Sequence, residues 1–155
     1  MRATIMDVLE KKYVLGGQLV VAETPMELVT IVGSCVAVCL WDRKTGTAGM
    51  NHYMLPSVDD VTNLLNGGKS ATRLLIKSMV SKMSDIKNLE AKIFGGGNKF
   101  FSDNFLVVGL QNVEAAKQVL MDAGIPIVLE HTGGIFGRKV YFDTRNGNVS
   151  VTAIE

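Results

Sequence analysis

The sequence has no excess of charge of either sign and no long apolar run. Its 155 residues include 16 basic and 15 acidic side chains, which leave a formal net charge of +1. This balance gives no electrostatic attraction to nucleic acid or to an anionic membrane surface, so we expect neither as a partner. No apolar run approaches the ~18 residues that cross a bilayer, and we therefore expect no direct membrane insertion. The expected partner is a protein or a small molecule.

Cysteine is also scarce, because the chain contains only Cys35 and Cys39. The N-terminus shows no signal-peptide pattern, which together with the few cysteines indicates a soluble, cytoplasmic protein. If both cysteines lie on one strand, their Cα atoms are about 13 Å apart. Bridged Cα atoms lie within ~7 Å of each other. We therefore expect two free thiols and no disulfide.

The length of the chain fits one domain over residues 1–155. Such a domain buries about two-thirds of the surface that its unfolded chain exposes. The spacing of apolar residues indicates about eight short strands and two helices, and no repeat is evident. Strands predominate at the N-terminus, helices interrupt the middle, and a hairpin with an Asn146-Gly147 turn closes the chain. This order predicts an α+β fold rather than regular βαβ alternation.

Two segments have helix signals. Residues 70–84 place apolar side chains mostly at helical spacing, and Ser70 is the predicted N-cap. Asn112 is the predicted N-cap of a second helix over residues 113–123, which Gly124 and Pro126 end. The sequence therefore predicts two main helices in the middle of the chain.

Residues 30–56 have the pattern of two β-strands joined by a tight turn. If Asp42 faces Thr47 across this turn, the alternation of side chains puts Cys35 and His52 on the same face as diagonal neighbours. Their Cβ atoms are then under roughly 7–8 Å apart. A slip of one residue would move the histidine to the opposite face.

A thiol and an imidazole on one face favour nucleophilic catalysis. A free thiol, with a pKa near ~8.5, is mostly protonated at neutral pH unless a histidine or backbone donors stabilise the thiolate. Cys35 has both possibilities, since His52 is on the same face and backbone donors lie next to it. The Gly33-Ser34 step permits a sharp turn, and the N–H groups of Ser34 and Cys35 can donate to an oxyanion. The alternative is that Cys35 is a small buried hydrophobic residue and His52 a structural histidine.

A zinc site is another use of these residue types, with Cys35, Cys39, His52 and His131 as ligands. Zinc needs its ligands at ~2.0–2.3 Å in a tetrahedron. Two cysteines about 13 Å apart on a strand cannot both bind one ion. The zinc site therefore requires a helical segment around the cysteines.

Two glycine-rich stretches are not typical of nucleotide sites. Gly68-Lys69-Ser70 resembles the end of a P-loop, but the required glycine five positions earlier is replaced by Asn63. Residues 95–97 lack the GxGxxG spacing and favour a turn. We expect neither a metal nor an organic cofactor.

Several blocks of the sequence together match one family signature. In chain order they are residues 32–42 (VGSCVAVCLWD), 49–56 (GMNHYMLP), 91–97 (AKIFGGG), 109–113 (GLQNV) and 132–134 (TGG). These blocks closely resemble those of the CheD chemoreceptor glutamine deamidases. The resemblance spans nearly the whole chain, in order and at fitting spacing.

The resemblance implies a function, a fold and partners. Cys35 is implied as the nucleophile and His52 as the general base, which hydrolyse selected glutamine side-chain amides to glutamate on methyl-accepting chemotaxis receptors. The implied fold is a single-domain three-layer α/β/β sandwich with mixed or antiparallel sheets and about two main helices. Some members also bind a CheC-type phosphatase.

The third catalytic residue departs from the family pattern. A threonine six residues before the cysteine is implied, but that position is Val29 and Thr30 is one step closer. Because one step changes the face of a regular strand, Thr30 can orient His52 only if Gly33 or a bulge restores the alignment. Gln18 and His131 are the alternatives for this role.

Two other functions remain open beside hydrolysis. One is a non-catalytic module that binds and regulates a chemotaxis protein such as a CheC-type phosphatase. The other is acyl transfer, in which a lysine amine replaces water. Ammonia release with a glutamine-to-glutamate mass change indicates hydrolysis, whereas a cross-linked product indicates acyl transfer.

Overall fold

A computed structural model describes residues 9–98 and 103–154, and these residues form nine strands and two α-helices. The helices are α1 (Gly68–Ser81) and α2 (Asp103–Asp122), and short 3₁₀ helices lie at Val61–Asn66 and Ile86–Asn88. The strands are β1 (Glu10–Tyr13), β2 (Gln18–Ala22), β3 (Met26–Val32), β4 (Val36–Asp42), β5 (Ala48–His52), β6 (Leu89–Gly95), β7 (Ile127–Thr132), β8 (Gly137–Asp143) and β9 (Asn148–Ile154).

The strands form two mixed sheets. One has five strands in the order β2-β5-β4-β6-β7, and the other has four in the order β1-β3-β8-β9. The pairs β1–β3 and β6–β7 are parallel, and the remaining pairs are antiparallel. Both helices pack on one face of the five-stranded sheet, while the four-stranded sheet covers its other face. The predicted three-layer α/β/β architecture is confirmed.

Strand β4 lies at the centre of this sandwich and is apolar on both faces. Val36, Val38 and Leu40 pack against the helices, whereas Ala37 and Cys39 pack against the four-stranded sheet. All five are buried. A strand covered on both faces is expected to be continuously apolar, which explains why this segment lacks polar alternation.

The hairpin formed by β4 and β5 has the predicted register. Cys39 pairs with Met50, and the Asp42 N–H donates to the Thr47 carbonyl at 2.8 Å. The extent of the predicted hairpin was wrong, however, because Thr30 belongs to β3 in the other sheet. The chain crosses from one sheet to the other in the short segment between β3 and β4.

Both helix starts differ from the predictions. Gly67 is the N-cap of α1, and Ser70 lies within the first turn, where its hydroxyl donates to the carbonyls of Leu64 and Gly67. Asn112 lies in the middle of α2 and is fully buried, so it is not a cap. The Asn112 side chain makes tertiary hydrogen bonds instead. Local sequence rules cannot distinguish a polar residue with this role from an N-cap. Within residues 9–98 and 103–154, no helix is long and apolar enough to cross a membrane.

Candidate active site

Cys35 and His52 lie at the open end of the β4–β5 hairpin. The backbones of Val36 and Tyr53 are hydrogen bonded in both directions, at 3.0 and 3.1 Å, and both side chains face the helices. Cys35 and His52 each precede one of these residues, so their side chains project from the opposite face, toward the four-stranded sheet. Cys35 packs at the edge of the core between the sheets and is partly exposed, whereas His52 is 7% exposed.

The His52 ring has a defined hydrogen-bond network at Nδ1. The Thr30 hydroxyl lies 2.5 Å from the Val14 carbonyl oxygen and 2.8 Å from His52 Nδ1. Because a hydroxyl has one proton and a carbonyl oxygen can only accept, Thr30 donates to Val14 and accepts from the imidazole. Nδ1 therefore carries the ring proton, and Nε2 of the neutral ring is free to accept one.

The other ring nitrogen, Nε2, lies near Gly16. A Cβ atom at Gly16 would be 3.9 Å from His52 Nε2 and 3.5 Å from Met54 Sδ, so both side chains approach Gly16. In the hairpin register, Met54 is opposite Cys35, one step beyond the Val36–Tyr53 pair. The orientation of the ring is thus fixed from the Thr30 side, and Nε2 is the ring nitrogen that Thr30 does not engage.

Thr30 reaches His52 from the other sheet. On one continuous strand, Thr30 and Cys35 would point to opposite faces. The strands β3 and β5 instead lie in separate sheets that pack against each other, so Thr30 can contact His52. The two alternatives have other contacts. Gln18 pairs with His52 through the backbone while its side chain accepts from the Leu15 N–H, and His131 accepts from Arg138.

Burial favours the neutral forms of both reactive groups. Burial raises the pKa of the Cys35 thiol, an effect that its own backbone N–H opposes. Burial lowers the pKa of His52, which the hydrogen bond to the Val14 carbonyl opposes. Both shifts favour a thiol and a neutral imidazole over a thiolate–imidazolium pair.

The turn before the nucleophile has two backbone N–H groups, of which that of Cys35 lies against its own thiol. Among the residues that the structure describes, the N–H groups of Ser34 and Cys35 have no hydrogen-bond acceptor in another residue. The chain bends at Gly33 and Ser34, as expected, and two glycines that face this bend have positive φ values. Gly95 and Gly96 have φ values of +115° and +67°, whereas a Cβ atom at Gly33 would meet nothing within 4 Å.

Two residues of this region were not identified from the sequence as part of a site. Asn112 Nδ2 donates to the Ser34 carbonyl at 2.8 Å and to the Met54 carbonyl at 3.1 Å. Arg138 is buried and donates to His131 Nδ1 at 2.8 Å and to the Gly133 carbonyl at 2.7 Å. Burial lowers the pKa of this guanidinium. The only sequence feature that linked Asn112 to the site was its place in the 109–113 block. No sequence feature linked Arg138 to the site.

The residues weighed as zinc ligands are dispersed. Cys39 is buried on a regular strand between the sheets, and His131 is bonded to Arg138. Within residues 9–98 and 103–154, no three His, Cys, Asp or Glu side chains are close enough to hold a metal ion. Both cysteines are free thiols, as predicted.

The chain is similar to members of one protein family over most of its length. A family model described as CheD chemotactic sensory transduction matches residues 54–153. A Sulfurimonas denitrificans protein is 38% identical over 149 residues, which cover 94% of this chain and 96% of that protein. A Clostridium tetani protein is 37% identical over 152 residues, covering 93% and 92%. Both relatives are named "Probable chemoreceptor glutamine deamidase CheD".

A solved structure shares the fold. The crystal structure of a Neisseria meningitidis protein of the DUF152 family is similar with a TM-score of 0.50, over 86% of this chain and 67% of the other. The two sequences are 10% identical, so the likeness concerns the fold alone.

Proposed function

Because this chain belongs to the CheD family, we propose that it hydrolyses glutamine side-chain amides of chemoreceptors to glutamate, with Cys35 as nucleophile. The names of its relatives support the substrate and the reaction. The observation that carries the assignment of residues is the state of His52. Its Nδ1 is bound by Thr30, which leaves Nε2 unprotonated, and the register of the hairpin puts the ring and the thiol on the same face.

The first half of the reaction forms a thioester. His52 Nε2 takes the proton from Cys35 Sγ, and the sulfur attacks the glutamine Cδ while the carbonyl electrons move to oxygen. The N–H groups of Ser34 and Cys35 donate to this oxyanion. The imidazolium then gives its proton to the amide nitrogen, the C–N bond breaks, and ammonia leaves.

The second half releases the product and restores the thiol. His52 Nε2 takes a proton from water, and the resulting hydroxide attacks the thioester carbon. The C–S bond breaks, the imidazolium returns a proton to sulfur, and a glutamate side chain is released. Thr30 keeps the Nδ1 proton in place through both halves, so the same nitrogen acts as base and acid.

The resting protonation states are consistent with general-base activation. Since burial disfavours both the thiolate and the imidazolium, the proton is transferred only as the sulfur attacks. A partly buried, neutral thiol is also less open to alkylation and oxidation than a pre-formed thiolate.

We place this activity in one CheD-like domain over residues 1–155. The substrate is the cytoplasmic region of chemoreceptors, so the protein acts in the cytoplasm. A CheC-type phosphatase is the proposed regulatory partner.

The test is a reaction of the purified full chain with a receptor cytoplasmic fragment. Ammonia release and a glutamine-to-glutamate mass change at specific sites are the expected results. Cys35→Ala and His52→Ala should reduce both to background while the proteins remain folded. Cys39→Ala is the matched control, because Cys39 is buried between the sheets and its loss should affect packing alone.

Other outcomes identify other functions. Full activity of Cys35→Ala would disprove the proposed nucleophile. A cross-linked lysine product would replace hydrolysis by acyl transfer. Binding of the receptor or of a phosphatase without either product would indicate a regulatory binding module.

A further inference from the structure

Three successive carbonyls around the nucleophile are held by hydrogen bonds. The Gly97 N–H donates to the Gly33 carbonyl at 2.8 Å, and the Gly96 N–H donates to the Cys35 carbonyl at 2.9 Å. Between them, Asn112 Nδ2 donates to the Ser34 carbonyl at 2.8 Å. The central bond of the three is therefore the one made by a side chain.

Each of these bonds also sets the direction of an N–H group. A peptide unit is planar and trans, so its carbonyl and the N–H of the next residue point in opposite directions. The bond from Asn112 to the Ser34 carbonyl thus fixes the direction of the Cys35 N–H. The bond from Gly97 to the Gly33 carbonyl does the same for the Ser34 N–H. Neither of these N–H groups has an acceptor in another described residue.

Asn112 also ties the turn to the strand that carries His52. Its Nδ2 makes a second bond, of 3.1 Å, to the carbonyl of Met54, which lies opposite Cys35. The Tyr53 hydroxyl in turn donates to the Asn112 backbone carbonyl at 2.5 Å. A single residue of α2 therefore connects both sides of the hairpin at the end where Cys35 and His52 lie.

Helix packing alone does not explain an asparagine at this position. Asn112 is fully buried in the middle of α2, where asparagine has a low helix propensity and where a buried amide requires partners. Its Oδ1 atom is buried without a hydrogen-bond partner among the described residues. The favourable contacts of the side chain are thus those of Nδ2, and both go to carbonyls beside the site.

We propose that Asn112 is a positioning residue that orients the Cys35 N–H toward the oxyanion. The proposal rests on the deamidase function proposed above. By accepting from Asn112, the Ser34 carbonyl also polarises its peptide unit, which strengthens the Cys35 N–H as a donor. Asn112 touches neither the substrate nor the reacting sulfur.

The test separates oxyanion stabilisation from thiol reactivity. Asn112→Ala and Asn112→Asp, which keeps the shape but lacks the donor, should lower kcat by about 10- to 100-fold with little change in KM, because a donor is misplaced in the transition state. Alkylation of Cys35 by iodoacetamide forms no oxyanion, so its rate should stay within about 3-fold of wild type. A residue with a merely structural role would change both rates or neither.

Two further variants keep the test informative if Asn112 variants are unstable. Val119→Ala removes a buried side chain from the same helix, away from the turn, and should lower the thermal midpoint without lowering kcat. Tyr53→Phe removes only the hydroxyl that holds the Asn112 carbonyl, and should lower kcat by a few-fold with normal alkylation.

The outcomes distinguish this proposal from the proposed function. Wild-type protein that releases no ammonia from the receptor fragment overturns the deamidase function, and the role of Asn112 falls with it. An active wild type with unchanged kcat in the folded Asn112 and Tyr53 variants overturns the positioning role alone. A parallel loss of deamidation and alkylation also overturns it, because Asn112 would then support the thiol rather than the oxyanion.

Discussion

At the scale of single residues, the state of the His52 ring depends on one hydroxyl proton. Thr30 uses that proton on the Val14 carbonyl, so it can only accept from the imidazole. The Val14 oxygen also lies 3.4 Å from Nδ1 and supports the same tautomer. Two acceptors from outside the hairpin therefore keep Nε2 available as the base.

Removing the Thr30 hydroxyl should weaken catalysis without removing it. We expect Thr30→Val to lower kcat by about 10- to 100-fold. The Val14 carbonyl, 3.4 Å from Nδ1, then orients the His52 ring alone and less firmly. Thr30→Ser keeps the hydroxyl and should retain most activity. Thr72→Val is the control, since the Thr72 hydroxyl is buried with no partner among the described residues. Steady-state deamidation of a receptor fragment measures the effect, and equal activity of Thr30→Val and wild type would contradict the role of Thr30.

The pH dependence of the reaction follows from the two shifted groups. Because burial lowers the pKa of His52, the neutral base persists as pH falls, and kcat/KM should decrease on the acid side with an apparent pKa below ~6.5. Because burial raises the pKa of Cys35, alkylation by iodoacetamide should increase with pH through an apparent pKa above ~8.5. Alkylation that stays fast and constant down to pH 6 would instead indicate a pre-formed thiolate.

At the scale of elements, strand β6 and the loop after it shape the nucleophile turn. β6 pairs with β4 from Leu89 to Gly95, and the loop residues Gly96 and Gly97 continue this contact by donating to the Cys35 and Gly33 carbonyls. Arg138 donates to the Gly95 and Gly133 carbonyls from β8. The turn is thus supported by elements that come much later in the chain.

A side chain at Gly95 should disrupt this support. Its φ of +115° is a conformation that residues with a Cβ atom rarely adopt, and a Cβ there would overlap the Cys35 carbonyl oxygen. Backbone strain of this kind costs of order 1–3 kcal/mol, and the overlap adds to it. We expect Gly95→Ala to lower both the free energy of unfolding, measured in urea, and kcat.

The matched control for this change is Gly124→Ala. Gly124 also has a positive φ, of +73°, but a Cβ there would meet nothing within 4 Å. Its replacement should cost only the left-handed strain of about 1–2 kcal/mol and leave deamidation unchanged. Equal losses of stability in the two variants would show that the contact with Cys35 is unimportant.

At the scale of the whole molecule, the candidate site draws on all three layers. Thr30 comes from the four-stranded sheet, His52 from the five-stranded sheet with Cys35 at its edge, and Asn112 from the helix layer. The thiol lies at the end of the interface between the sheets, whereas Cys39 lies inside it. The layers therefore make the two cysteines chemically different.

This difference should be visible in thiol labelling. Cys39 is 1% exposed and burial strongly raises its pKa, so native protein should react with iodoacetamide at one thiol per chain. Both thiols should react in denaturant, and native Cys35→Ala should not be labelled. Mass spectrometry counts the labels, and a second thiol that reacts at a similar rate in native protein would contradict the packing described for Cys39.

Local sequence patterns were sufficient where the relevant contacts are local. The tight turn after β4 predicted the register of the hairpin, and the period-two geometry of a strand then put Cys35 and His52 on a common face. The same local rules misassigned Asn112, because a polar residue followed by an apolar helical pattern has the features of an N-cap.

The sequence by itself indicated two helices, most of the strands and the hairpin register that puts a thiol and an imidazole on one face, because these features depend on residues close together in the chain. The tertiary structure decided what completes the site. Thr30 reaches His52 across two packed sheets, and Asn112 reaches Ser34 from a helix 78 positions away in the chain. Contacts between layers depend on how whole elements pack, and no local periodicity records that packing.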